Sequence, residues 1–293
     1  MNMRNRLEHT VKVLADDIGP RSWQQQDRLE RTAEFIAGEF RLAGYGPADQ
    51  KFLFRANPYR NVIAELPGTD PSAETLVIGA HYDSVETTPG ADDNASGVAC
   101  LIELARFCAG SRLRGGVRFV AFALEEPPAY RTEGMGSYHY AESLKRAGAP
   151  IAGMICLEML GYFVDSPGSQ SYPLPFFRLK YPSVGNYISF VGNVKSRAFT
   201  QRMAGAFQQG TDLPVVTLNA PAVVFGIDLS DHWSFNKFGY NALMVTDTAF
   251  YRNPHYHAPS DRPETLDYVR MAKVVEGLSA AVRVWGRPAN DGQ

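Results

Sequence analysis

Cysteine is scarce in this chain. Cys100, Cys108 and Cys156 are its three, an odd number with no Cys-x-x-Cys, which excludes a disulfide framework and leaves them as small buried hydrophobes. An excess of one charge is missing too: 29 Lys and Arg stand against 31 Asp and Glu, a net charge of -2 without a long run of either sign. That balance argues against nucleic acid or an anionic membrane as partner. No window approaches the length of a transmembrane helix, and the first 40 residues, interrupted by Asp16, Asp17, Asp27 and Glu30, hold no apolar signal-peptide core. The cytoplasm is the expected compartment, or secretion if a leader has been removed. Repeats, low-complexity stretches and linker-like segments are absent, so a single domain over 1–293 is expected, and no oligomeric state can be read.

What is present is an ordinary globular composition, 45% hydrophobic and 20% charged. Leu7, Val11 and Leu14, then Leu29, Ala33, Ile36 and Phe40, recur at helical spacing, predicting a helical N-terminal part over 1–45 broken at Gly19-Pro20. Extended runs follow at Phe52–Arg55 and Asn61–Leu66. From residue 75 strands (76–80, 117–124, 152–158, 187–191, 213–218, 241–246) alternate with helices (96–109, 136–147, 196–209, one after Asp231, and 264–285 opening after Pro263). Continuous apolar strands separated by helices predict a three-layer α/β/α sandwich around a mostly parallel mixed sheet. Residues 162–186, rich in Pro, Gly and aromatics, read as a lid or pocket-wall insertion.

The chemistry gathers at the ends of these strands. His81 and Asp83, two apart on an extended segment, point to one side, where an imidazole can bind metal while a carboxylate orients it. Asp92 and Asp93 lie in a Gly-bounded loop before a helix, where simple capping is the ordinary role, and spacing does not choose between them. Strand 117–124 delivers Glu125-Glu126 against Pro-Pro, two charges that need a partner, and strand 152–157 delivers Glu158. Ligand sites in open α/β sheets lie beyond the carboxyl ends of the strands, so these residues should converge. His257 has a carboxylate, Asp261, that could anchor it from behind. Two imidazoles with three or four carboxylates exceed one tetrahedral zinc site and suit a two-metal centre; zinc is favoured, with cobalt or manganese as alternatives. The Asn94-Ala-Ser96 glycosylation pattern is accidental on this reading, since a sugar would cover the site.

His81-Tyr-Asp83-Ser, Gly90-Ala-Asp-Asp-Asn-Ala-Ser-Gly97, Glu125-Glu126, Leu157-Glu-Met-Leu-Gly161 and Tyr256-His257-x-x-x-Asp261 together resemble metallopeptidase family 28, the co-catalytic zinc peptidases that include bacterial leucyl aminopeptidases. The resemblance runs from about residue 60 onward. It implies a zinc-dependent exopeptidase, an aminopeptidase acting on a peptide or small aminoacyl substrate, with two zinc ions bridged by Asp93. His81 and Glu158 would complete one metal site, and Glu126 and His257 the other. Glu125 matches the general base, Asp83 the carboxylate that orients His81, and Tyr256 a residue that steadies the oxyanion. Glu158 departs from the Asp of better-known members. His255 receives no role, and Asp231-His232 reads as a helix cap that supports the pocket. Two other readings attach to the same fold: a glutaminyl cyclase-like acyltransferase with one zinc, and a non-catalytic binding domain.

Overall fold

A computed structural model describes residues 1–173 and 175–286. Eight strands form one sheet: β1 (Ala48–Phe54), β2 (Asn57–Leu66), β3 (Thr75–His81), β4 (Val117–Phe122), β5 (Ile151–Glu158), β6 (Ile188–Asn193), β7 (Val215–Ala220) and β8 (Ala242–Thr246), in the order β1-β2-β4-β3-β5-β8-β6-β7. The central four, β4-β3-β5-β8, are parallel. β2 runs antiparallel to both β1 and β4, and β6 antiparallel to β8 and parallel to β7. The sheet is therefore mixed, with a parallel centre.

Apolar residues on both sides of the strands follow from burial on both faces. Leu76, Ile78 and Ala80 of β3 and Phe119 and Ala121 of β4 enter one core, which also takes side chains from helices α1 (Met3–Lys12), α2 (Gln26–Leu42), α3 (Gly97–Cys108), α5 (Arg197–Phe207) and α7 (Tyr268–Trp285). Val77, Val120 and Phe122 point the opposite way, into a smaller core closed by α4 (Gly136–Arg146) and α6 (His232–Lys237). Period-two alternation thus divides each strand between two helical layers.

Three boundaries differ from the sequence expectation. β1 and β2 are longer than the two extended runs and pair as a hairpin across Arg55-Ala56, both at positive φ (50° and 64°). Such a two-residue turn is normally signalled by Asn or Gly, and neither occupies these positions. The helix expected to open after Pro263 starts later. Pro263–Thr265 is a single 3-10 turn, Leu266 is extended, and Asp267 caps α7 by accepting the N–H groups of Val269 and Arg270 (3.0 and 2.9 Å). Val269, in the first turn of α7, consequently faces outward and is half exposed. Near the N-terminus the helical path continues from α1 through a wider turn, Val13–Ile18, ends at Gly19, and resumes only at Gln26.

The segment between these helices contains Arg21, which is wholly buried. Its guanidinium donates to the carbonyls of Tyr82 (2.9 Å), Leu14 (2.7 Å), Gly19 (3.0 Å), Pro89 (2.7 Å) and Gly90 (3.0 Å). One cation thereby ties the N-terminal helices to both ends of the loop that follows β3. Burial lowers its pKa to about 10, with nearby carboxylates opposing the shift, so it remains charged at neutral pH.

Candidate metal centre

Adjacent parallel strands bring their carboxyl ends together. His81 is the last residue of β3, Glu158 the last of β5, and Glu125 and Glu126 follow β4 by a few residues. The backbone at three points here lies in the left-handed region: Leu124 (φ 61°), Met159 (φ 48°) and His257 (φ 54°). Each costs about 1–3 kcal/mol in a residue with a side chain, a strain typical of positions where side-chain direction matters.

The imidazoles and carboxylates converge as two groups with one shared member. His81 Nε2 lies 3.2 Å from Glu158 Oε2 and 3.4 Å from Asp93 Oδ1. His257 Nε2 lies 3.1 Å from Asp93 Oδ2 and 3.3 Å from Glu126 Oε1. Either triad, His81-Asp93-Glu158 or Asp93-Glu126-His257, can present one donor atom per residue to a metal ion. Asp92, the alternative bridging residue, belongs to neither triad.

Charge and hydrogen bonding fit a cation in this place. Asp93, Glu125, Glu126 and Glu158 are all buried, and Glu126 Oε1 has no well-aligned hydrogen bond, meeting the His257 ring at 3.3 Å. Buried carboxylates so close together require compensation. Protons supply part of it here. Burial would lower the pKa of His81, but Glu158, Asp83 and Asp93 raise it well above the usual value. His257 is raised to about 10, burial again being outweighed by Asp93 and Glu126. Burial acts against ionisation of Asp93 as well, yet the hydrogen bonds from His257 and His81 hold it below the ordinary carboxylate range. Glu126 is pushed up to about 7 by burial and by Asp93, and Glu125 well above the usual range by burial, with Glu126 and Glu158 adding to the shift and His81 opposing it. The nitrogen and oxygen donors suit zinc, which would take the place of these protons.

Two supporting carboxylates make contacts that the sequence did not suggest. Asp83 Oδ1 is 3.5 Å from His81 Nδ1, which is nearer to the Asp83 carbonyl at 3.2 Å. The Asp83 carboxylate also accepts the N–H groups of Glu125 and Glu126, each at 3.0 Å. Asp261, expected behind His257, accepts the N–H groups of Asp92 (2.8 Å) and Asp93 (3.1 Å). Both carboxylates thus position backbone that carries other ligand candidates.

Several residues of the centre escaped sequence reasoning. Ser230 donates to Glu158 Oε2 at 2.6 Å. Asn94 donates to the Leu157 carbonyl and accepts from Gly97 and Met159 N–H, fastening the Asp93 loop to the end of β5. A Cβ at Gly97 would run into the Asn94 side chain and the Leu157 carbonyl, so this contact requires glycine. Asp247, just past β8, accepts from Tyr162 and Ala249 N–H. It is buried beside Asp92, and burial raises the pKa of both carboxyl groups. The strand-end rule applied to β8 would have found Asp247. Nothing in the spacing marks Ser230.

Tyr256 stacks on the His257 ring (centroids 3.8 Å apart, 16° between planes), and burial raises the pKa of its phenol, which stays a donor. His255 turns away: its Nδ1 is 2.9 Å from Ser260 Oγ, and its ring meets Tyr162 edge-on. Asp231 makes no side-chain cap for α6 and is fully buried, contrary to the capping expectation. His232 Nε2 lies 2.6 Å from the Ile227 carbonyl; burial keeps the ring neutral, so it donates there.

The centre opens into a cavity of about 290 Å³. Asp93, Glu125, Glu126, Glu158, Tyr256 and His257 line one part of it, and Val191, Val216, Leu218 and Met244 another. Tyr172, Phe177 and Tyr181, from the segment 162–186, complete the wall. Among the described residues no Lys or Arg lines this space.

A mostly parallel sheet whose central strand ends bring His81, Glu125, Glu126 and Glu158 beside His257 has the donor set of a metal-dependent hydrolase. The model of peptidase family M28 matches residues 61–282, and the chain belongs to that family. It is 42% identical over 280 residues to the Escherichia coli K12 protein described as uncharacterized protein YfbL, covering 93% of this chain and 85% of that one. It is 28% identical over 235 residues to a probable leucine aminopeptidase of Trichophyton verrucosum, covering 74% of this chain. The chain spans only 56% of the length of that fungal relative. Among solved structures, the Bacillus subtilis zinc aminopeptidase BSAP has a TM-score of 0.74 at 15% identity, covering 98% of this chain and 96% of that one. A Porphyromonas gingivalis glutaminyl cyclase has a TM-score of 0.70 at 19% identity, covering 96% and 98%. These structural likenesses show a shared fold.

Proposed function

We propose that the protein is a zinc aminopeptidase that removes N-terminal residues from peptides or small aminoacyl substrates. The observation that carries this reading is the charge of the cavity. Asp93, Glu125, Glu126 and Glu158 line it and, among the described residues, no Lys or Arg does, so no side-chain cation is offered to a substrate α-carboxylate, while carboxylate oxygens not taken up by metal favour a free α-ammonium group. An exopeptidase working from the carboxyl end would need that cation.

Two zinc ions are assigned to the centre, with Asp93 shared, His81 and Glu158 completing one site, and Glu126 and His257 the other. When bound, zinc supplies a Lewis acid for the scissile carbonyl and a nucleophilic water near neutral pH. Glu125 is the general base. Its raised pKa brings it towards the working pH, so it can take a proton from the attacking water and return it to the leaving amine. Asp83 holds the Glu125-Glu126 backbone in register for both tasks. The Tyr256 phenol faces the same cavity and donates a hydrogen bond to the carbonyl oxygen as charge develops on it. The aromatic wall from 162–186 encloses the substrate side chain and limits water near the reacting bond.

Glu125→Gln tests the assignment. It should retain zinc close to the wild-type content and lose most turnover; comparable activity would remove Glu125 as the base. One firmly held zinc together with cyclisation of N-terminal glutamine peptides would contradict the peptidase reading.

A further inference from the structure

The loop that carries His257 is fastened to the loop that carries Asp93 on both sides of the histidine. Four residues after His257, the Asp261 carboxylate holds the Asp92 and Asp93 N–H groups. Four residues before it, the buried Asn253 side chain makes a second fastening. Its Nδ2 donates to Asp92 Oδ2 at 2.7 Å, and its Oδ1 accepts the His255 N–H at 2.9 Å. The other oxygen of Asp92 accepts the Gly161 N–H at 2.9 Å, beyond the end of β5. A continuous path of hydrogen bonds therefore runs from the strand end that carries Glu158, through Asp92 and Asn253, to the backbone two residues before His257.

We infer that Asn253 is a positioning residue that sets the distance between His257 and Asp93, and thereby the zinc affinity of the Asp93-Glu126-His257 group alone. Three features support this. His257 sits in a left-handed conformation that does not persist unless its surroundings fix it. Its side chain is 32% exposed, so packing alone holds it less firmly than the fully buried His81. Asn253 is in neither triad, and its side-chain hydrogen bonds reach Asp92 and the His255 N–H on the His257 side of the centre. The His81-Asp93-Glu158 group has independent supports in β3, β5 and Ser230.

The chemistry also requires an amide at this position. Asp92 accepts from both sides, so residue 253 must donate to it while still accepting from His255. Asn253→Asp keeps size and shape but places acceptor against acceptor. Asp92→Asn combined with Asn253→Asp restores the pairing with the donor and acceptor exchanged, and leaves an oxygen for the Gly161 N–H.

The inference rests on the two-zinc reading, and calorimetric titration of metal-free protein with zinc separates the two. Wild type should take up two equivalents; uptake of one would overturn the two-zinc reading itself. Given two, Asn253→Asp should weaken one equivalent by about 10- to 100-fold, the range for groups that orient metal ligands, and leave the other within about twofold. The exchanged pair should recover most of that loss. Equal affinities in wild type and Asn253→Asp, or equal weakening of both equivalents, would overturn the inference. If Asn253→Asp does not fold, the exchanged pair decides alone: two equivalents near wild-type affinity support the pairing, and a weakened second equivalent contradicts it.

Discussion

Asp83 and Glu125 are joined through the backbone: Asp83 Oδ1 accepts the Glu125 N–H at 3.0 Å, and its other oxygen accepts the next N–H along the chain. A carboxylate two residues after a ligand candidate on β3 thus determines where the proposed base on the β4 loop stands. Asp83→Ala would leave two buried N–H groups without acceptors, at about 1–3 kcal/mol each. A fall in urea midpoint is expected, with a kcat reduced by about 10- to 100-fold. Asp83→Asn, which keeps one acceptor, should fall between that variant and wild type in both measurements.

Arg21 supplies the clearest stability prediction. Arg21→Ala leaves the carbonyls of Tyr82, Gly19 and Pro89 without a donor and takes one of two donors from Leu14 and Gly90, a loss of about 3 kcal/mol or more when several buried groups are orphaned. Arg21→Lys should rescue little, because one ammonium cannot reach carbonyls spread around a planar guanidinium. Denaturant unfolding of both variants checks this: a lysine variant as stable as wild type would show that charge, and not the fork of donors, is what the site needs.

The pH dependence of the metal-free protein has a definite sign. His257 titrates near 10 in the folded chain against 6.5 ordinarily, so its stabilisation is complete below about pH 6.5 and is lost as pH rises towards 10. Glu126 titrates near 7 against 4.5, so its ionisation between those values also favours the unfolded chain. The melting temperature of metal-free protein should fall from pH 6 to pH 9. Zinc displaces these protons, so its apparent affinity should rise over the same range, with proton release measurable by calorimetry in buffers of different ionisation enthalpy.

Much of this architecture was legible in the sequence because the strands are buried on both faces and end in charged residues. His81, Glu125-Glu126 and Glu158 each interrupt an apolar run where a strand must stop, and the parallel order of β4, β3 and β5 brings those interruptions together. Partnership between distant loops was much less legible. Asp261 lies four residues from His257 in the chain yet bonds to backbone some 168 residues away, and no local pattern specifies such a choice. The hairpin at Arg55-Ala56 was hidden because its turn uses residues that rarely adopt positive φ. The late start of α7 was hidden because Pro263 is a plausible first helical residue, while Asp267 holds the actual cap.

Ser230 gives a prediction complementary to that for Asn253. Ser230→Ala removes the 2.6 Å hydrogen bond to Glu158 Oε2 and should weaken zinc at the His81-Asp93-Glu158 group by about 10-fold or more. The other equivalent should be unaffected. Calorimetric titration of the variant against wild type reads this as the loss of one affinity step, and loss of both steps would show that the two groups are not separable.

Paired substrates distinguish a metal-dependent aminopeptidase from the alternatives. Initial rates are measured on a leucyl peptide with a free α-amine and on its N-acetylated form, before chelation, after chelation and after zinc is returned. The free peptide should be cleaved at its first bond, the acetylated one should resist, and activity should vanish with chelation and return with zinc. Cleavage of the acetylated peptide at a comparable rate, or activity that survives chelation, would show that the protein is not a metal-dependent aminopeptidase.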